Sequence, residues 1–437
     1  MPTSLLPSPS TTRRRFLAGS GAALAAAAAR PVLSFAPAGA TLPGGVVVVI
    51  FLRGGADGLS LVAPWDMPSY RSRRPTIRVR TPDEFADPAG RAGLPLEAGG
   101  AVAPFALSGV LALHPGLAAL HQGAWVGGDL AVVHAAGMPA SESDTRSHFD
   151  SMRNWELGSA SSVVSTGFLN RFLTAIDATD QLPAVSRGTG LARSLSGPVP
   201  AYSMAELSSF GVSGFSSNSR ARAALTSWYD RSPGDLLGTT GANTLGLISA
   251  VTSVDWAGPA FAPRNGATYG DDDIARNLRE VAKLVRSGLG LRVACIDAGG
   301  WDTHEGMGAP DDPGSYFRRR AGQLGDALAA FRTDLGAELA NVTVVTISEF
   351  GRTIDENGSG GTDHGRGSCL LVMGGGIRGG VHGDFVDAIT DGPEGDLAVV
   401  NDWRRVLAEV LTVRGGAPSV ESVFPTWSPQ TPLGICG

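Results

Sequence analysis

"GGVVVVIFLRGGADGLSL" (residues 44–61) contains an unbroken run of seven apolar residues, Val46 to Leu52, set between glycines. A continuous β-branched run bounded by turn-formers reads as a strand buried on both faces, the kind a parallel sheet uses. Similar runs recur at "DLAVVHAAG" (129–137), "LRVACIDAGG" (291–300), "NVTVVTISEF" (341–350) and "SCLLVMGGG" (368–376). Helical periodicity alternates with the later ones. Residues 271–288 place Ile274, Leu278, Val281 and Leu284 on one face, and residues 315–340 do the same with Phe317, Leu324, Leu328, Phe331 and Leu335. In "NDWRRVLAEVLTVRGG" (401–416), Asp402 is placed to cap a helix and Gly415 to stop it. Strand–helix–strand alternation predicts the α/β class, with a mostly parallel sheet sandwiched between helices.

At 437 residues the chain exceeds what one simple core supports, so a large α/β domain with insertions, or two lobes, is expected. Hydrophobic residues make up 43% and charged residues 17%, a balance that fits a globular chain and not a disordered one. The net charge of −6 comes without a basic tract or an aromatic-plus-basic stripe, which excludes nucleic acid as a partner. Cys295, Cys369 and Cys436 are too few and too widely spaced for a disulfide framework or a zinc-type pair.

The N-terminus carries an address. "TTRRRFLAGSGAALAAAAARPVLSFAPAGA" (11–40) runs from an arginine cluster through an alanine-rich apolar stretch to Ala38-Gly39-Ala40, the order of an export signal. Thr12 to Leu17 resemble the twin-arginine motif; an ordinary secretory signal or a retained anchor are the other readings. Residues 1–40 are thus expected to be a twin-arginine signal peptide, with the protein periplasmic or secreted and membrane contact only through that signal. Residues 41–437 form the expected α/β domain, interrupted at about 186–270 by a Ser/Gly-rich insertion or cap, or by a linker between domains. The arginine-rich stretch "RSRRPTIRVRTPDEF" (71–85) reads as a solvated or partner-facing loop.

Ligands of open parallel sheets bind beyond the carboxyl ends of the strands. The polar clusters of this chain follow those ends in turn. Arg53 to Gly58 follow the first run, with Asp57 among them. Ser141 to Asp150 ("SESDTRSHFD") follow the second. Trp301-Asp302-Thr303-His304-Glu305 follow "VACIDAGG", and Glu349-Phe350-Gly351-Arg352 follow "VTVVTIS". Asp363-His364 precede the last run. Three of the seven histidines, His148, His304 and His364, fall in these loops. Carboxylates mixed with imidazoles suit Zn, Mn or Mg better than a soft metal, and one or two such ions could polarise a phosphoryl or sulfuryl group. Ser147 is the expected nucleophile, because "SHFDSMRNWE" reads as the start of a helix whose free N–H groups favour an anion; Thr145 is the fallback. Arg146, Arg352 and Arg366 are placed to hold substrate oxygens.

Taken in order, "FLRGGADGLS", "TRSHFDSMRNWELG", "GGWDTHEG", "SEFGRT" and "TDHGRG" resemble the family catalogued as domain of unknown function 1501, placed within the alkaline phosphatase and sulfatase superfamily. The resemblance implies an alkaline phosphatase-like fold with metals at the strand ends. By position it makes Asp57 the first-strand metal ligand and sets Ser147 near the nucleophile. It matches Asp302 and His304 to the ligands of one metal, and His364 to the late histidine of that site. Two departures stand out. The superfamily's Asp-His pair is replaced by Glu349-Phe350, and phenylalanine cannot ligate, so Asp363-His364 would have to take its place. The nucleophile loop also lacks the Cys-x-Pro-x-Arg pattern of sulfatases.

The expectation is an exported metal-dependent hydrolase-like protein acting on a small anionic ester, of phosphoric acid or a related acid. Asp57, Asp302, His304, Glu349, Asp363 and His364 are the expected metal ligands; Ser147, Thr145, Arg146 and Arg352 are the expected catalytic residues. The alternative is a catalytically silent binding or assembly protein that keeps the fold for a cell-envelope partner.

Overall fold

The computed structural model describes residues 44–96, 111–188, 190–208, 210–211, 219–231, 235–385 and 395–437. The expected signal peptide lies outside them. Nine strands form one sheet: β1 (Val46–Leu52), β2 (Leu130–Gly137), β3 (Ala184–Arg187), β4 (Tyr202–Ser203), β5 (Val293–Ala298), β6 (Val342–Ile347), β7 (Ser368–Gly374), β8 (Gly380–His382) and β9 (Asn401–Asp402). Their spatial order is β8-β2-β7-β6-β1-β5-β3-β4, with β9 also pairing with β2. β1 lies at the middle, parallel to β5 on one side and β6 on the other, with Val49 opposite Cys295 and Val345. All pairings are parallel except those of β7, which runs antiparallel to both β6 and β2. That reversal brings the start of β7 to the edge where β1, β5 and β6 end.

The continuous apolar run of β1 is explained by its two faces. Val47, Val49 and Phe51 join a core with Trp155 of α1 (His148–Leu157), Phe168 and Phe172 of α2 (Phe168–Ala175), and other large side chains. The intervening Val48, Ile50 and Leu52 are buried as well, so a second layer covers the opposite face. Removing side chains of this size from water stabilises the fold by about 1.5–3 kcal/mol each. α3 (Asp273–Arg286) packs on β5 and on α4 (Tyr316–Leu335). The four residues expected on its inner face, Ile274, Leu278, Val281 and Leu284, are all buried. Asp272 caps α3 by accepting the amides of Ile274 and Ala275 at 3.0 Å. Asp402 caps α5 (Trp403–Glu409) as the sequence predicts. The three cysteines are buried and unpaired.

Within the stretch read as an insertion, Tyr202–Ser203 pairs with β3 and so belongs to the sheet. Residues 212–248 separate from the rest as part of a second compact unit. Two helices are described there, Ser219–Tyr229 and Leu236–Thr252, the latter running past the unit's boundary. No helix among the described residues is long and apolar enough to cross a membrane.

Two histidines outside the strand-end loops are locked in the neutral state. His134 contacts the Val62 carbonyl through Nε2 at 2.7 Å, which makes Nε2 the protonated nitrogen, and accepts the Ala135 amide on Nδ1 at 2.7 Å. His114 accepts the Gly116 amide on Nδ1 at 3.0 Å. Burial pushes the His134 pKa down to about 4 and that of His114 down to about 3. The unfolded chain takes up these protons near pH 6.5 and the folded chain does not. Their contribution is therefore full above about pH 6.5 and is lost as the pH falls through the folded values. Urea midpoints should fall from pH 6.5 toward pH 4. The expected slope is up to about 1.4 kcal/mol per pH unit for each histidine, and His114→Asn, which keeps an acceptor for the Gly116 amide, should flatten it.

Candidate metal centre at the strand ends

Four chain segments meet beyond the carboxyl edge of the sheet. β1 continues into Arg53 to Asp57, and the loop after β2 leads to His148 on the first turn of α1. β5 leads into Asp302 and His304, and β6 into a loop that doubles back to β7. That last loop is held as a narrow hairpin: Gly351 donates to the Arg366 carbonyl at 2.9 Å, Gly365 to the Gly351 carbonyl at 2.9 Å and Thr353 to the Asp363 carbonyl at 2.9 Å. Its glycines are a packing requirement. A Cβ on Gly351 would lie 1.7 Å from the Gly367 carbonyl oxygen, and one on Gly361 would lie 2.4 Å from the His304 backbone.

At the centre stands Asp302. Its Oδ1 is 3.2 Å from His304 Nε2 and 3.5 Å from His364 Nε2, and its Oδ2 is 3.6 Å from His148 Nε2. His304 Nε2 and His364 Nε2 are 2.9 Å apart. His148, Asp302 and His364 form the compact set, with ligand atoms all within 4.8 Å of one another, and His304 adjoins it. Every imidazole is held from behind through Nδ1. His148 Nδ1 is 3.0 Å from Glu349 Oε1, His304 Nδ1 is 3.1 Å from Asp363 Oδ1, and His364 Nδ1 is 2.9 Å from the Arg146 carbonyl.

This arrangement decides the tautomers. Carboxylate and carbonyl oxygens can only accept, so each Nδ1 carries its proton and each neutral ring presents its Nε2 lone pair to the centre. Two such lone pairs facing across 2.9 Å repel unless a proton or a cation sits between them. The 3.2–3.6 Å contacts of Asp302 with the three Nε2 atoms suit a cation, because ligands at about 2.0–2.2 Å from a tetrahedral ion stand about 3.3–3.6 Å apart. Electrostatics favour the ligating forms. Burial would raise the Asp302 pKa, but the Arg352 hydrogen bond and charge outweigh it, so the carboxyl is held below its ordinary value. For His364, burial and the Arg352 charge push the pKa down, toward neutral imidazole. The Asp363 pKa is lowered by its bonds from His304 and Asn357.

The other expected site residues take different places. Asp57 is fully buried and accepts the amides of Leu59 and Ser60 as a helix cap, while Oδ2 pairs with Arg74 at 2.8 Å and takes the Ser60 hydroxyl at 3.1 Å. Its oxygens are already taken, so it is not part of the His/Asp group. Glu349 supports His148 and accepts the Gly54 amide at 2.7 Å, one layer behind the ligating atoms. Asp363 likewise stands behind His304. Arg352 was expected to hold substrate, but its side chain is wholly buried, bonded to Gly55 and Thr362 carbonyls at 2.7 and 2.9 Å and to Asp302 at 2.6 Å. Arg366 pairs with Asp144 and Asp396. Arg146 donates to the His364 carbonyl at 3.1 Å. Ser147 is the N-cap residue of α1, half-buried, and its side chain makes no cap bond; Thr145 Oγ1 accepts the Ser147 amide at 3.2 Å.

His148 joins the group although its metal role was not singled out from sequence. The available signal was its place in a strand-end loop along with His304 and His364. Phe350, which cannot ligate, packs its ring 4.9 Å from that of His148 and 4.5 Å from that of His364. It also fixes the first loop. Gly55 has φ +74°, and a Cβ there would lie 2.3 Å from the Phe350 ring. Gly90 has a similar φ of +67° with nothing within 4 Å. Gly55→Ala should therefore cost at least about 1 kcal/mol more than Gly90→Ala in urea unfolding, since both carry left-handed strain but only the first must displace a buried ring.

No curated protein matches this chain. Among solved structures, the crystal structure of the lipoteichoic acid synthase LtaP from Listeria monocytogenes is similar at a TM-score of 0.27 and 8% identity, over 77% of this chain and 67% of that one, a likeness too slight to bear on the site. A family described as "Protein of unknown function (DUF1501)" matches residues 267–400, the stretch that carries Asp302, His304, Glu349, Asp363 and His364.

Proposed function

We propose that this chain is a metal-dependent hydrolase of phosphoric or related esters, with one divalent ion held by His148, Asp302 and His364 and flanked by His304. The observation that carries this reading is the set of three imidazoles, each anchored at Nδ1 and each turning Nε2 toward Asp302. Acceptors on the far nitrogen of a metal-binding histidine orient the ring and raise its basicity. The side chains of Asp302 and His304 are 48% and 42% exposed, so the group opens to solvent instead of being closed over as a structural ion site would be. A bound ion would supply Lewis acidity toward an ester oxygen and ease deprotonation of the attacking group. The amino end of α1 at Ser147 would receive the anion of the substrate, and the Ser147 hydroxyl is the proposed nucleophile.

The N-terminal arginine motif supports export by the twin-arginine route, and with it a periplasmic or secreted site of action. A second reading rests on Phe149, which is 84% exposed one residue beyond His148. In that reading the centre stiffens a surface that docks an envelope protein, and no turnover occurs.

Metal analysis of the protein after incubation with Zn, Mn or Mg should give about one ion per chain, lost in His364→Ala. Turnover of p-nitrophenyl phosphate or bis-p-nitrophenyl phosphate should vanish on chelation. Ser147→Ala should lower it at least about 100-fold while leaving the ion bound. An ion-loaded protein inert toward both esters would overturn the hydrolase reading in favour of docking, and a chain that takes up no ion would overturn both.

A further inference from the structure

A second concave site lies at the end of β3 and shares no residue with the histidine group. It is a cavity of about 300 Å³ bounded by Arg187, the segment around Glu206, Trp256 and one side of α3. That size suits a small ligand. Four cations reach it, Arg187, Arg276, Arg279 and Lys283, against the carboxylates Glu206 and Glu280. Glu280 is already engaged, with Oε1 2.7 Å from Lys283 Nζ and Oε2 accepting the Leu207 amide at 3.3 Å. Four cations against two carboxylates leave the lining with an excess of positive charge.

Arg187 is the decisive residue. It is only 2% exposed, and although one Nη donates to the Met204 carbonyl, its buried Nε–H meets no acceptor among the described residues. The Nε–H of Arg279 is also buried and unmatched. Burial lowers the Arg187 pKa, and the charges of Glu280 and Glu206 only partly offset it. A buried guanidinium with an unmet donor is unfavourable, and an oxyanion with two adjacent oxygens, carboxylate or phosphate, is the partner its fork fits best. Trp256 contributes an apolar wall, because its indole N–H is already given to the Val251 carbonyl at 2.8 Å.

We infer that this cavity binds a small molecule with an oxyanion, carboxylate or phosphate, seated between Arg187 and Arg279, and with an apolar body against Trp256. The cavity shares no residue with the histidine group, so the inference stands whether or not the chain hydrolyses esters.

Calorimetric titration of the whole protein at low salt, with a chelator present so that no ion at the histidine group binds or turns over an ester, tests it with three probes: inorganic phosphate, phenyl phosphate and benzoate. The expected result is saturable one-site binding of phenyl phosphate, benzoate or both, tighter than that of inorganic phosphate. Arg187→Met and Arg279→Gln should each weaken it at least about tenfold, and His364→Ala should leave it unchanged. If Arg187→Met does not fold, Arg279→Gln, from a partly exposed position on α3, gives the same reading. Absence of saturable binding by all three probes would overturn the inference. So would affinity that disappears in His364→Ala and persists in Arg279→Gln, because the anion would then sit at the histidine group.

Discussion

The strand-end architecture depends on one buried guanidinium. Arg352 is 1% exposed, and its side chain reaches the carbonyls of Gly54, Gly55, Trp301 and Thr362 and the carboxylate of Asp302. These acceptors belong to three separate loops, those after β1 and β5 and the hairpin before β7. A planar fork of N–H donors can satisfy carbonyls in several directions at once, which the single ammonium of lysine cannot do in the same geometry. The same contact sets the electrostatics, since the charge that ties the loops together also keeps Asp302 ionised at the centre of the histidines. Position and protonation are thus governed by a single side chain.

The sheet was legible in the sequence because its strands are buried on both faces and read as unbroken apolar runs; β1, β2, β5, β6 and β7 all fall within the stretches the pattern marks. The edge at which the histidines and Asp302 gather followed from strand direction alone. The division of labour among the carboxylates did not. Asp57, Asp302, Glu349 and Asp363 look alike after a strand or in a loop, and their roles are set by partners distant in the chain. Asp57 is claimed by Arg74, which lies in a stretch that reads as solvated yet is fully buried at that residue. Glu349 is claimed by His148, 201 positions away. A sequence pattern carries no record of which of two carboxylates meets the ring nitrogen and which meets the open centre.

Phe350 shows how a residue that cannot ligate can still bear on the histidine group. The described residues hold one compact candidate ligand set, His148, Asp302 and His364. Its ring instead closes the space behind His148 and His364. An apolar wall raises the cost of an imidazolium and so favours neutral rings with free lone pairs. Burial is the leading cause of the lowered His364 pKa, consistent with that effect. Gly55 permits the contact, because any side chain there would occupy the volume of the Phe350 ring. The glycine-rich first loop and the phenylalanine are therefore one device: the loop must be bare for the ring to sit against it, and the ring must sit there to close the space behind His148 and His364.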